Sequence, residues 1–130
     1  MEWESYWTKA QENLEAALWA HQNNKHNVCA SRAYYAVFLA SIAALLKLTD
    51  YRVQENAWSH SQVQAELNRR LIMRKKVLPG ELGRTPMELM ELRHVADYKP
   101  RAITARESRR ACDRAESFLS VIETVTQGAI

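Results

Sequence analysis

The feature that most constrains the fold is an apolar run, AYYAVFLASIAALL, at residues 33–46. These 14 residues contain no charge, no glycine and no proline. A helix needs about 20 apolar residues to cross a bilayer, so the run is too short to span one. In a protein surrounded by water, a helix that is apolar on every side is buried by its neighbours. We therefore expect a central helix over residues 28–48.

The remaining sequence predicts further helices that pack around this central one. Apolar residues recur at intervals of three and four on both sides of it, and no segment alternates as a strand would. We predict helices over residues 4–21, 28–48, 60–74, 86–98 and 105–127. The fold class is therefore all-α, an antiparallel up-and-down bundle of four to five helices. A chain of 130 residues suits one domain, 1–130.

Helix boundaries are marked by residues that pair backbone groups at helix ends. The predicted N-terminal signals are Asn27, Ser59-x-x-Gln62, Thr85-Pro86-Met87-Glu88 and Thr104-x-x-Glu107. Pro100 disfavours helical geometry at Lys99, so the fourth helix should end after the segment LRHVADY. Gly128 is predicted to end the last helix.

Positive charge is concentrated in the second half of the chain. Residues 1–65 carry five Lys and Arg against six Asp and Glu, and residues 66–130 carry thirteen against nine. Five cations fall within eight residues: Arg69, Arg70, Arg74, Lys75 and Lys76. This run predicts either a solvated helix end, favoured by the helix dipole, or a patch that contacts RNA.

Several common kinds of site are not indicated by the sequence. Cys29 and Cys112 have neither C-x-x-C spacing nor partner histidines at metal-ligand intervals, so we expect small buried side chains and no metal site. No glycine-rich nucleotide loop or nucleophile elbow occurs, and no cofactor is expected. The opening MEWESYW does not resemble a secretory signal, and a cytoplasmic location without membrane contact is expected.

The segment LRHVADYKP at residues 92–100 concentrates polar chemistry in one helix end. Arg93 and Asp97 lie four residues apart, which allows an ion pair, whereas Tyr98 lies about 140° round the helix from Arg93. One interpretation is a polar network of Arg93, Asp97 and Arg32 that fixes how the second and fourth helices pack. The other is an anion or RNA site, with Arg93 on a phosphate and Tyr98 stacking or donating a hydrogen bond.

Four segments together resemble the HEPN domain family in order and spacing. They are NVCASRAYYAVFLASIAALL at 27–46, WSHSQVQ at 58–64, LRHVADY at 92–98 and ARESRRACDRAESFLSVIETV at 105–125. The chain is similar in particular to the small stand-alone prokaryotic branch, which has an R-A-Y-Y-A helix, a following histidine and an R-x-x-A-D-Y segment.

The resemblance implies a helical bundle that forms a homodimer and is often encoded beside a minimal nucleotidyltransferase. Many members are metal-independent endoribonucleases of toxin-antitoxin or defence systems. Their motif is an arginine followed, after four to six residues, by a histidine. Arg93 matches that arginine, but the three histidine positions hold Tyr98, Lys99 and Pro100.

The missing histidine leaves two functions open. Attack by a 2'-hydroxyl of RNA needs a group that exchanges protons near neutral pH, which suits histidine and not tyrosine. In the enzymatic reading Arg93 binds the scissile phosphate, Asp97 and Tyr98 position it, and His60 is a candidate substitute acid or base, reaching the site through the fold or across a dimer. The residues expected to contact RNA are Arg32, Arg69, Arg70 and Arg74.

The competing reading is a non-catalytic dimerisation or protein-interaction domain in which the Arg93 and Asp97 pair is structural. Trp3 and Trp19 depart from the apolar interval of the first helix. One of them is therefore expected to cover a dimer contact.

Overall fold

The protein is described by a computed structural model that covers residues 2–52 and 58–127. Five α-helices make up most of it: α1 (Glu2–Gln22), α2 (His26–Leu48), α3 (His60–Glu66), α4 (Arg84–Tyr98) and α5 (Ala105–Gln127). No strand occurs within those two ranges. The predicted all-α class is confirmed.

The central position predicted for the second helix is also confirmed. α2 contacts α1, α3, α4 and α5, and its apolar residues are buried along almost its whole length. By length and composition α2 could cross a membrane, but 78% of its most apolar window is buried inside the protein. Its uniform apolarity is therefore explained by its place in the core.

α1 and α5 lie against α2 and run antiparallel to each other. His21 near the end of α1 contacts Ser108 near the start of α5. The thiols of Cys29 and Cys112 lie between these helices and α2, both buried, with their Sγ atoms 3.2 Å apart. The hydrogen bond with Cys112, together with burial, raises the pKa of Cys29. Cys29 therefore stays a protonated thiol within the core, as the sequence led us to expect.

The predicted third helix changes from an α-helix to a π-helix part of the way along. After α3 the chain continues as a π-helix over Leu67–Arg74, and the N–H of Lys75 bonds to the carbonyl of Arg70, five residues back. Lys76 then adopts a left-handed backbone with φ 55°, which ends the helix. The prediction of a single α-helix over residues 60–74 was therefore wrong. The apolar interval between Leu67 and Leu71 fits an α-helix and a π-helix alike, so the sequence periodicity did not distinguish the two helix types.

Two predicted helix starts are confirmed and two are wrong. Ser59 Oγ accepts from Gln62 N–H at 3.4 Å, and Thr104 Oγ1 accepts from Glu107 N–H at 3.1 Å. α2 instead begins at His26, and Asn27 Oδ1 accepts from the N–H of Ile103 at 2.9 Å. α4 begins at Arg84, directly after a 3-10 turn over Gly80–Gly83, so Thr85 lies inside its first turn. Gly128 lies outside the described residues.

The capping box of α5 gives a first testable prediction. Thr104→Ala should lower the free energy of unfolding by about 1 kcal/mol, because the N–H of Glu107 loses its acceptor. Urea denaturation measures this loss. Thr124→Ala is the matched control, since that exposed hydroxyl only donates to the Ser120 carbonyl of its own helix. Equal losses in the two variants would contradict the capping role.

Candidate functional site

The site is built around two adjacent tyrosines of α2. Tyr34 is fully buried and Tyr35 is half-buried. Arg93 of α4 lies over both rings, with its Cζ 5.1 Å from the centroid of Tyr34 and 5.6 Å from that of Tyr35. Its Nη1 also donates to the Tyr35 hydroxyl at 3.4 Å. The guanidinium group is therefore held inward, between α2 and α4.

Arg93 is mostly enclosed and only partly paired. Its side chain is 13% exposed, and its Nη1 lies 3.5 Å from Asp97 Oδ2. Its Nε is buried and has no hydrogen-bond partner in the part of the chain that the structure describes. Cation–π contacts and one carboxylate therefore compensate for lost hydration, and they leave one buried N–H unsatisfied.

Tyr98 lies closer to Arg93 than the helical interval suggested. Its ring centroid is 5.9 Å from Arg93 Cζ, although the two residues are about 140° apart round the helix. The side chains are long enough to bridge that angle. Tyr98 is 67% exposed, so one face of this ring is open to solvent beside the cation.

His60, at the start of α3, joins the same group of side chains. Its Nδ1 is hydrogen-bonded to the Tyr34 hydroxyl, and its ring stacks on Phe38 with centroids 4.2 Å apart. Burial, together with the nearby positive charge of Arg93, lowers the pKa of His60 below its usual 6.5. The fold therefore brings a histidine that is neutral at pH 7 to the arginine. We call Tyr34, Tyr35, His60, Arg93 and Asp97 the Arg93 cluster.

The Tyr34 hydroxyl does not fix which nitrogen of His60 carries the proton. Burial raises the pKa of Tyr34 to about 12, against the opposing effect of the Arg93 charge, so its hydroxyl stays protonated. A phenol can both donate and accept a hydrogen bond. His60 can thus carry its proton on either nitrogen. Its Nε2 makes no hydrogen bond to any described residue, so it offers a lone pair or a proton.

Arg32 also lies over the ring of Tyr35, but its hydrogen bond is to α1. Its Cζ is 4.9 Å from the Tyr35 centroid, and its Nη1 donates to Asn13 Oδ1 of α1 at 3.0 Å. Within the described residues Arg32 forms no hydrogen bond or ion pair with Arg93 or Asp97, and the ring of Tyr35 is what the two arginines share.

The other predicted RNA contacts lie along the π-helix. Arg69 and Arg70 both bind Glu66, and Arg70 also binds Asp50 at 2.8 Å. These hydrogen bonds lower the pKa of both carboxyls. A cavity of about 580 Å³ opens beside them, and cations dominate its lining: Lys47, Arg52, Arg70, Arg74 and Lys75. Of the three arginines predicted here, Arg74 forms no ion pair with a described residue.

Sequence reasoning missed two parts of this arrangement. Tyr34 and Tyr35 were not singled out as site residues, although their position two and three residues after Arg32 in RAYYA was a usable signal. His21 and His26 carried no site signal either, yet both are half-buried, with their Nδ1 atoms 2.5 and 2.7 Å from Ser108 Oγ. No local pattern reveals that long-range contact. In residues 2–52 and 58–127, no group of three or more His, Cys, Asp or Glu side chains could hold a metal.

Comparison with protein-family models assigns the chain to a family. A search of curated proteins gives no significant match. A family model described as HEPN domain matches residues 3–125, which is nearly the whole chain. The all-helical architecture agrees with that match. The chain belongs to the HEPN domain family.

Proposed function

We propose that this chain binds RNA at the Arg93 cluster and cleaves it without a metal ion. The observation that carries the proposal is the position of His60, which reaches Tyr34 and the neighbourhood of Arg93 although residues 98–100 contain no histidine. His60 would then replace the histidine that the family motif has after its arginine. Arg93, Asp97 and Tyr98 remain the proposed catalytic and positioning residues of α4.

The chemistry assigns one role to each side chain. Neutral His60 takes the proton from the attacking 2'-hydroxyl through Nε2, a role suited by its lowered pKa. As the 2'-oxygen bonds to phosphorus, the P–O5' bond breaks and the 5'-oxygen takes a proton from water, which leaves a 2',3'-cyclic phosphate and a 5'-hydroxyl. Arg93 places its Nη groups on the phosphate, where a charge-assisted hydrogen bond stabilises the developing negative charge. Asp97 orients the guanidinium group, and the exposed ring of Tyr98 stacks on a base. Arg32 fixes Tyr35 beneath Arg93.

The cavity beside the π-helix is proposed as the track for neighbouring phosphates. Arg70 and Arg74 line it, Arg69 stands next to them, and a surplus of positive charge there favours a polyanion. Binding through this track should weaken as salt concentration rises.

The biological setting follows from the family resemblance and stays part of the proposal. The chain would be a homodimer of the small stand-alone prokaryotic branch, located in the cytoplasm. It would serve as the toxin-like or RNA-binding component of a two-gene toxin-antitoxin or defence module. Its partner would be a minimal nucleotidyltransferase.

The experiment is an assay of labelled tRNA and total RNA in EDTA. Arg93→Ala should weaken RNA binding by roughly 10- to 100-fold, because a hydrogen bond to a charged group is lost. Arg93→Lys should recover part of the affinity, since the charge remains but the planar fork does not. Arg106→Ala removes an exposed arginine that has no ion pair within the described residues, and it should behave as the wild type.

Circular dichroism and thermal melting would show whether each variant is folded. Wild-type protein that neither binds nor cleaves RNA would contradict the proposal. Cleavage that stops in EDTA would contradict the metal-independent mechanism.

The second candidate function is a non-catalytic interaction domain. The observation in its favour is the depth of Arg93, which is 13% exposed and already contacts three tyrosines and Asp97. In that case Arg93→Ala would reduce stability, and wild-type protein would leave RNA intact.

A further inference from the structure

A groove runs between α1 and α5, on residues that take no part in the Arg93 cluster. Its volume is about 420 Å³. The floor is apolar, formed by Trp7, Leu14, Leu18 and Leu119. A second hollow of about 360 Å³ adjoins it at Glu15 and extends to Trp19. Trp19 is 55% exposed, although burying a tryptophan side chain away from water is strongly favourable.

The size of this surface suits one short helix. Trp7 and Leu18 are the first and last residues of α1 in its lining, and eleven steps along α1 correspond to roughly 16 Å, or about three helical turns. Two neighbouring antiparallel helices present a groove into which a third helix can lay its apolar side chains at intervals of three and four. An amphipathic helix therefore fits the shape of the floor.

The rim of the groove is acidic. Glu15, Glu116 and Glu123 line the groove, and Glu12 lines the adjoining hollow. None of these four forms an ion pair with any residue of ranges 2–52 and 58–127. By contrast, Asp50, Glu66, Asp97, Glu107 and Glu88 each have an arginine partner.

The charge of the rim selects the kind of partner. The chain has a net charge of +3, so this negatively charged rim has the opposite sign to the chain as a whole. A second copy placed on the groove about a twofold axis would set glutamates against glutamates, which is unfavourable. RNA is disfavoured by the same repulsion. We propose that this groove binds a basic amphipathic helix of another protein, with lysines or arginines flanking its apolar face.

The test uses the full chain and a synthetic peptide. The probe is a fluorescein-labelled helical peptide of about 14 residues, or roughly four turns, with leucine at every third or fourth position and lysine on both flanks. Fluorescence anisotropy measures its Kd. A peptide of the same composition in scrambled order, which has no apolar face, should bind at least roughly tenfold more weakly.

Charge reversal on the rim gives the decisive comparison. The triple variant Glu15→Lys, Glu116→Lys, Glu123→Lys should weaken binding of the ordered peptide by roughly tenfold or more. Trp19→Ala should also weaken it, and the loss of an exposed side chain should leave the fold intact. The control variant carries Glu2→Lys, Glu81→Lys and Glu91→Lys, which make the same change of net charge at exposed positions away from this groove. It should retain the wild-type Kd.

Three results would overturn the proposal. Equal binding of the scrambled peptide, or an equal loss in the control variant, would mean that only net charge attracts the probe. Failure of the ordered peptide to bind would contradict it directly, and a dimer that dissociates in Trp19→Ala by sedimentation would then assign the surface to a second copy of the chain. None of these results depends on RNA cleavage, because the groove and the Arg93 cluster share no residue.

Discussion

The substitution His60→Ala should lower the rate of RNA cleavage by roughly 10²- to 10⁴-fold, the usual contribution of a general base. RNA affinity should change little, because Arg93 and the cations beside the π-helix remain. The physical reason is that no other imidazole contacts Tyr34, Tyr35 or Arg93 in the part of the chain that is described. Single-turnover cleavage of labelled RNA, with affinity measured in parallel, separates the two effects.

His94→Ala is the matched control for this prediction. His94 follows Arg93 directly, but it is exposed and its ring faces Tyr98 at 5.2 Å between centroids. This variant should keep most of the cleavage rate. The opposite result, loss in His94→Ala and retention in His60→Ala, would remove His60 from the mechanism.

The pH dependence follows from the same residue. A general base works only when it is deprotonated, so the rate should rise with pH through the pKa of His60. Burial and the Arg93 charge place that pKa below 6.5. The rate should therefore be half-maximal at a pH below 6.5 and level near neutrality. A midpoint above 7 would contradict the arrangement of side chains described for the Arg93 cluster.

Phe118→Ala should lower the free energy of unfolding by about 3 to 5 kcal/mol, because a fully buried ring is removed and a cavity remains. Phe118 belongs to α5 and lies in the core cluster that includes α2. Urea denaturation measures the loss, provided that the m-value is unchanged. Ser117→Ala, at the exposed position just before it, should be nearly neutral. A loss below about 1 kcal/mol would mean that the site collapses without a cavity or that α5 is loosely packed.

Short-range patterns in the sequence were sufficient for most of the fold. The uniform apolarity of residues 33–46 predicted α2 as the central helix, and the boxes at Ser59 and Thr104 marked two helix starts. Local signals failed where tertiary contacts compete with them. Asn27 bonds to Ile103 and does not cap α2, and Thr85 is absorbed into a helix that continues from a preceding turn.

In the candidate site, too, the local contacts were predictable from the sequence and the long-range contacts were not. The pair of Arg93 and Asp97 is separated by one helical turn, so its ion pair followed from the sequence. The contacts of Arg93 with Tyr34 and Tyr35, and the approach of His60 to Tyr34, join residues far apart in the chain. Helical intervals cannot specify such contacts, because they depend on how α2, α3 and α4 pack.

The hydroxyl of Ser108 constrains where hydrogens sit at one end of the bundle. It has a single hydrogen, yet His21 Nδ1, His26 Nδ1 and the Ala105 carbonyl all lie within 3.1 Å of its oxygen. A carbonyl cannot donate, so at least one of the two imidazoles must be protonated at Nδ1. The single hydroxyl hydrogen of Ser108 thus restricts which tautomers His21 and His26 can adopt. Nitrogen-15 NMR of the histidine rings should detect the Nδ1 proton directly.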